Sequence, residues 1–247
     1  MAKASPPVTA GPRAEDRAPD ALRPLSFERG LQRHAAGSVL VRWGHTHVLC
    51  AVTFEDRVPA HRNGTGGGWL TAEYSMLPGS THSRVRRERS APSGRTAEIQ
   101  RLIGRSLRAA IDLDRLGPRT AHIDCDVIQA DGGTRCASIT GAWVALALAL
   151  AAEGRTLRAV PPPVAGVSVG IVDGRVLCDL DYSEDSRAEV DLNYVATPGG
   201  LVEVQGSAEG AVFARSQLDA MLDVGQAACE RIFGLQRQAV LDAGFMP

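Results

Sequence analysis

The chain has 247 residues, 44% of them hydrophobic, and a formal net charge of −1, which suits a soluble globular protein of one large domain or two small ones. Its longest apolar stretch, Gly141 to Ala152, falls well short of the roughly 20 residues a membrane-spanning helix needs, so no membrane partner is expected. Lys3 is the only lysine beside 26 arginines, which excludes a Walker-type phosphate lysine and a Schiff-base lysine and leaves anion recognition to arginine.

In chain order, the first twenty residues mix Pro, Ala and charge without the apolar core of a secretory signal. They read as a mostly disordered tail ahead of a single domain over 21–247, in a cytoplasmic protein. Ser38 to Arg42 and Thr46 to Phe54 are β-branched runs around Gly44-His45, a hairpin signal. The spacing of Ile99, Leu102, Ile103, Leu107 and Ile111 predicts a helix over 96–112, with Arg101, Arg105 and Arg108 largely on the other face. His122 to Ile128 alternates polar and apolar residues and predicts a half-buried strand. A helix over about 135–153 is apolar nearly all round and must be buried. Val164 to Val172 and Arg175 to Asp181 flank Asp173-Gly174, and Glu189 to Ala196 and Leu201 to Gln205 flank Pro198-Gly199-Gly200, giving two more hairpins. An amphipathic helix over 216–241 follows. The order hairpin, helix, strand, helix, hairpin, hairpin, helix argues an α+β sheet with helices packed on it. Val48-Leu49-Cys50 ahead of Glu55-Asp56 echoes Val176-Leu177-Cys178 ahead of Glu184-Asp185, a match short enough to arise by chance as readily as by duplication.

Chemistry concentrates in three places. Gln129-Ala130-Asp131-Gly132-Gly133-Thr134-Arg135 runs from a strand through a glycine turn into the buried helix. A helix N-terminus exposes unpaired N–H groups and a positive dipole end, and glycines let an anion approach the backbone, so phosphate fits there; a plain strand-to-helix turn with Thr134 as N-cap fits equally. Asp179 to Asp191 holds six carboxylates in thirteen residues, which suits Mg²⁺ and a proton donor for a departing oxygen, or a solvated turn. Arg84, Arg86, Arg87 and Arg89 stand in a polar stretch, a solvated face or a track for a nucleic-acid backbone. From Arg84 to Arg119, ten arginines oppose four acids, a basic band on a nearly neutral chain that points to a polyanion. The five cysteines include no C-x-x-C pair, and neither disulfides nor a zinc site is expected.

These segments resemble the ribonuclease PH family. The likeness runs from about Leu22 to Leu241. It is carried by Gly68 to Pro78 (GWLTAEYSMLP), Gly94 to Arg105 (GRTAEIQRLIGR), Ile123 to Arg135 (IDCDVIQADGGTR), Val190 to Asn193 (VDLN) and Val202 to Gly206 (VEVQG). The resemblance implies a fold like domain 2 of ribosomal protein S5, with duplicated β-α units, and a hexamer built as a trimer of dimers. It implies phosphorolysis: inorganic phosphate, the co-substrate, attacks the terminal phosphodiester of RNA and releases a nucleoside diphosphate reversibly. The expected substrate is precursor tRNA extended beyond its CCA end, among other RNA 3′ ends. Residue by residue, it places phosphate on Arg95, Gly133, Thr134 and Arg135. Catalysis and the metal, Mg²⁺ with Mn²⁺ as the alternative, fall to Asp185 and Asp191. RNA is guided by Arg84 and Arg87, with Arg86 and Arg89 as extra basic positions. Glu15-Asp16-Arg17 stands where the family usually has Asp-Gly-Arg, and Cys136 and Asp181 replace a usual Thr and Asn. The rival implied by the same fold is a non-catalytic RNA-binding ring subunit of an exosome-like assembly. A metal-dependent hydrolase releasing monophosphates is a further rival.

Overall fold

A computed structural model of the chain describes residue 13 and residues 16–88, 91–153, 160–210 and 212–244. Strands β1 (Leu25–Arg29), β2 (Gly37–Trp43), β3 (Thr46–Glu55), β4 (Trp69–Met76) and β5 (Thr120–Gln129) make a five-stranded sheet in the order β1-β2-β3-β5-β4. Its pairs are antiparallel except β4 with β5. Strands β6 (Ala165–Val172), β7 (Arg175–Cys178), β8 (Val190–Thr197) and β9 (Gly200–Ala208) make an antiparallel sheet in the order β7-β6-β8-β9. The helices are α1 (Gly94–Ala110), α2 (Leu113–Leu116), α3 (Thr134–Ala152), α4 (Tyr182–Asp185) and α5 (Arg215–Leu241).

Helix α3 lies at the centre, packed on β2 and β3 of one sheet, on β6 of the other, and on α1 and α5. By length and composition it is apolar enough to cross a membrane, but 89% of the apolar window that meets that test is buried inside the protein. It is the core helix that its all-round apolar pattern requires. Its approach to β2 is close: a Cβ on Gly141 would sit 2.1 Å from Val41 Cγ2, so only glycine fits at that crossing. Helix α1 covers β4 with Ile99, Leu102, Ile103 and Leu107, all buried. All five cysteines are free and buried.

Some expectations need correction. Two strands, β1 and β4, escape the periodicity analysis; β4 buries Leu70, Ala72 and Tyr74 beside β5. The strand expected over Arg175 to Asp181 stops at Cys178, because Asp179 adopts φ +55° and turns the chain. The disordered tail does not extend to Arg13 and Asp16–Asp20: Arg13 is 7% exposed, and Pro19 O accepts from Cys178 N at 2.7 Å. The rest of that tail, including Glu15, lies outside the described residues.

Candidate active site

The glycine turn forms where β5 ends. Gly132 and Gly133 both take positive φ, 73° and 64°, and a Cβ on Gly132 would meet Leu180 O at 2.5 Å. The turn therefore needs glycine for its conformation and for its contact with the segment ahead of α4. Gly133, not Thr134, is the N-cap of α3. Thr134 is the first helical residue, and its hydroxyl shares a 2.9 Å hydrogen bond with Tyr74 Oη of β4. Thr46, at the start of β3, braces the turn from below: its hydroxyl donates to Gly132 O at 2.6 Å and accepts from Asp131 N at 3.0 Å.

A cleft of about 490 Å³ opens over this turn, and Arg95, Gly133, Thr134, Arg135, Asp185 and Asp191 all line it. Two helix N-termini meet there, since Arg95 occupies the first turn of α1, capped by Ser93, and Arg135 the first turn of α3. Both positive dipole ends and both guanidinium groups favour an anion. Arg135 is oriented by Gln205 of β9, whose Oε1 it reaches at 3.1 Å, and lies 3.7 Å from Glu98.

The structure also distributes the six carboxylates of the acidic segment. Asp179 and Glu184 turn inward, 1% and 2% exposed. Asp179 accepts from Arg23 at Nη2 (2.7 Å) and Nε (3.1 Å), and from Trp43 Nε1 (2.8 Å). Burial works against the charge on Arg23, but Asp179 outweighs it and the Arg23 pKa is raised. Glu184 holds Arg13 at 2.7 Å and Arg17 at 3.2 Å. Asp181 caps α4 by accepting from Glu184 N, and Glu189 accepts from Gly174 N. Only Asp185 and Asp191 of the six line the cleft.

Their electrostatics differ from ordinary surface acids. Burial first, then the neighbouring Asp185, pushes the Asp191 carboxyl up to about 6, against the pull of Arg135 and Arg95. Burial raises Asp185 as well, opposed by Arg135, Arg95 and Arg23. Either one proton or one cation relieves the mutual repulsion. Mg²⁺ is usually held by one or two carboxylates and completed by phosphate oxygens and water, and the pair fits that donor set. Among the described residues no group of three or more His, Cys, Asp or Glu is placed to hold a metal.

The raised carboxyl makes a stability prediction. Above about pH 6 the folded protein carries a charged Asp191 at a cost the unfolded chain does not bear. That penalty is complete above the folded pKa and fades as pH falls towards the ordinary carboxylate range. Asp191→Asn is therefore expected to stabilise the metal-free protein at pH 7.5 by about 2 kcal/mol, or roughly 4–8 °C in Tm, and to give no gain near pH 4. Thermal melts across pH check it; identical melts of both proteins at pH 7.5 would remove the burial penalty from the account.

The basic loop is brought near but not into the cleft. Leu77 N bonds Val127 O at 3.0 Å and Ala130 N bonds Ser80 O at 2.7 Å, so the loop is clamped beside the glycine turn. Ser83 and Val85 line the cleft, while Arg84, Arg86 and Arg87 are exposed next to them in the chain. Arg89 lies outside the described residues. Arg23, Thr46, Trp43 and Arg13, which support the site, carry no local signal in the sequence, nor do His82 and Tyr182, which also line the cleft. Local pattern carries no signal for the buried ion pairs, which join residues more than 150 positions apart.

Known proteins resemble the chain over most of its length. The 3′ exoribonuclease family model for domain 1 matches residues 21–151, and that for domain 2 matches residues 162–228. Ribonuclease PH of Mycolicibacterium smegmatis is 58% identical over 241 residues, covering 94% of this chain and 93% of the relative. Ribonuclease PH of Mycobacterium sp. strain KMS is 56% identical over 241 residues, covering 94% and 92%. Among solved structures, rice (Oryza sativa) Rrp46 superposes with a TM-score of 0.75 at 19% identity, covering 92% of this chain and all of that one. A chain of an archaeal exosome core does so with a TM-score of 0.75 at 21% identity, covering 91% of each. These two likenesses concern the fold, which is the duplicated α+β arrangement that the sequence resemblance implies.

Proposed function

The chain belongs to the ribonuclease PH family of 3′ exoribonucleases, and from that premise we propose that it matures precursor tRNA by removing nucleotides beyond the CCA end. The reaction class is phosphorolytic 3′→5′ exonucleolysis. An oxygen of inorganic phosphate bonds to the phosphorus of the last nucleotide, the bond to the 3′ oxygen of the preceding ribose breaks, and a nucleoside diphosphate leaves. The freed 3′ oxygen takes a proton. The same steps run backwards.

The observation that carries this reading is the sharing of one cleft by two arginines, a glycine-lined helix start and two carboxylates. In the proposed arrangement Gly133, Thr134, Arg135 and Arg95 bind the attacking phosphate and hold it in line, so positioning and charge neutralisation supply most of the rate. Without a cation on it, the Asp191 carboxyl is pushed up to about 6 by burial and by Asp185, so it is the member of the pair suited to carry a proton to the departing oxygen when it is not ligating the metal. Asp185 and Asp191 would hold Mg²⁺ or Mn²⁺, which when bound neutralises charge on the phosphate oxygens. Arg84, Arg86, Arg87 and Arg89 would follow the RNA backbone outside the cleft. A hexameric ring of cytoplasmic subunits is part of the same proposal.

Product analysis tests it. The purified protein is incubated with 3′-extended tRNA and Mg²⁺, with and without inorganic phosphate. Nucleoside diphosphates that appear only with phosphate, stopping near the CCA end, are the expected result. Monophosphates released without phosphate would mean a hydrolase, and bound but intact RNA would mean an inactive ring subunit.

A further inference from the structure

We propose that His82 and Tyr182 form an aromatic platform on which the base of the 3′-terminal nucleotide stacks while its phosphodiester is attacked; the proposal rests on the phosphorolytic reading of the cleft. Of the three tyrosines, Tyr74 and Tyr194 are buried at 3% and 4% exposure, whereas Tyr182 is 51% exposed on the cleft wall. A large ring left in water beside a binding site has a ligand-facing surface to offer. His82 is also exposed, and the two rings lie 5.6 Å apart between centroids at 45°, a tilted pair of exposed rings on the cleft wall.

Both rings are tied to the machinery they would serve. Tyr182 begins α4, the turn that ends in Asp185, and its backbone N–H reaches Asp131 Oδ1 of the glycine-turn segment at 3.3 Å. His82 follows Ser80, whose carbonyl accepts from Ala130 N on the other side of that turn. Met76 and Val85, both half-buried, extend the apolar lining. The cleft thus combines an arginine and carboxylate lining suited to phosphate chemistry with an aromatic and apolar lining suited to a base. Stacking on a ring face accepts every base, which suits an enzyme that removes whichever nucleotide stands last.

The test compares oligoribonucleotides that end in an ordinary or an abasic 3′ nucleotide, with inorganic phosphate as co-substrate. Stacking of one base corresponds to about 5- to 150-fold in affinity. The wild-type enzyme is therefore expected to favour the ordinary end by about tenfold or more in kcat/KM. Tyr182→Phe should keep that preference, because it keeps the ring. Tyr182→Ala should reduce it to within about twofold while the KM for phosphate stays the same, and His82→Ala should reduce it in part. A wild-type enzyme that treats both ends alike overturns the platform. So does a Tyr182→Ala variant that keeps the preference and shifts only the KM for phosphate, since Tyr182 would then act through the glycine turn. If the wild type releases no diphosphate from the ordinary end, the phosphorolytic reading itself fails, and the platform with it.

Discussion

Arg135→Ala is expected to lower kcat/KM for phosphate by on the order of 10³-fold while shifting the melting temperature by no more than a few degrees. Arg135 lines the cleft at the start of α3, where its guanidinium and the helix dipole act on the same anion. A donor aimed at developing charge is typically worth about 10²–10³ in rate, and a charged, bidentate one belongs at the upper end. The structural cost is small. Its partners Gln205 and Glu98 are polar groups at the protein surface, and water replaces the lost contact. Surface ion pairs of that kind contribute about 0–1 kcal/mol. Arg135→Lys keeps the charge but not the planar fork and should recover only part of the loss. Initial rates titrated with phosphate, beside thermal melts, measure both halves of the prediction. Turnover within tenfold of wild type across the phosphate range would exclude Arg135 from the site.

The second large effect concerns stability. Asp179→Ala is expected to destabilise the fold by about 3–5 kcal/mol, or roughly 6–20 °C in Tm. It leaves the 6%-exposed Arg23 without its carboxylate and Trp43 Nε1 without its acceptor. Breaking one side of a buried ion pair costs far more than the pair itself contributes, because the remaining charge stays buried. Asp179→Asn should cost clearly less: it keeps an acceptor for Trp43, and asparagine tolerates the φ of +55° found here. Arg23 also donates to Asp131 O, so the glycine turn should loosen in both variants and the KM for phosphate should rise. Chemical denaturation with a phosphate titration of each variant tests this, and equal stabilities of the Ala and Asn variants would show that the Trp43 contact and the backbone conformation contribute little.

The glycine turn, the buried central helix and the three hairpins were legible in the sequence because each rests on a local physical rule. Gly132 and Gly133 mark positive φ, the all-round apolar run of α3 demands burial, and Gly44-His45 and Asp173-Gly174 mark tight turns between alternating strands. Strand β4 was not legible by periodicity: Trp69 and Met76 at its ends stay half-buried, and its parallel pairing with β5 depends on a crossover through α1 and α2. Resemblance supplied the choice of Asp185 and Asp191 from the six acids, but not the reason for it.

Chain order alone therefore determined which residues could bind an anion or carry a proton: arginines in place of lysine, a glycine-flanked helix start, and a dense acidic segment. Tertiary structure decided where each of them stands. It turned Asp179 and Glu184 inward onto Arg23 and Arg13, left Asp185 and Asp191 on the cleft, and set Tyr182 beside His82. The physical reason is range. Turn and helix preferences act over a few residues and leave a mark in local sequence, whereas an ion pair spanning 156 positions exists only after both sheets have closed on α3.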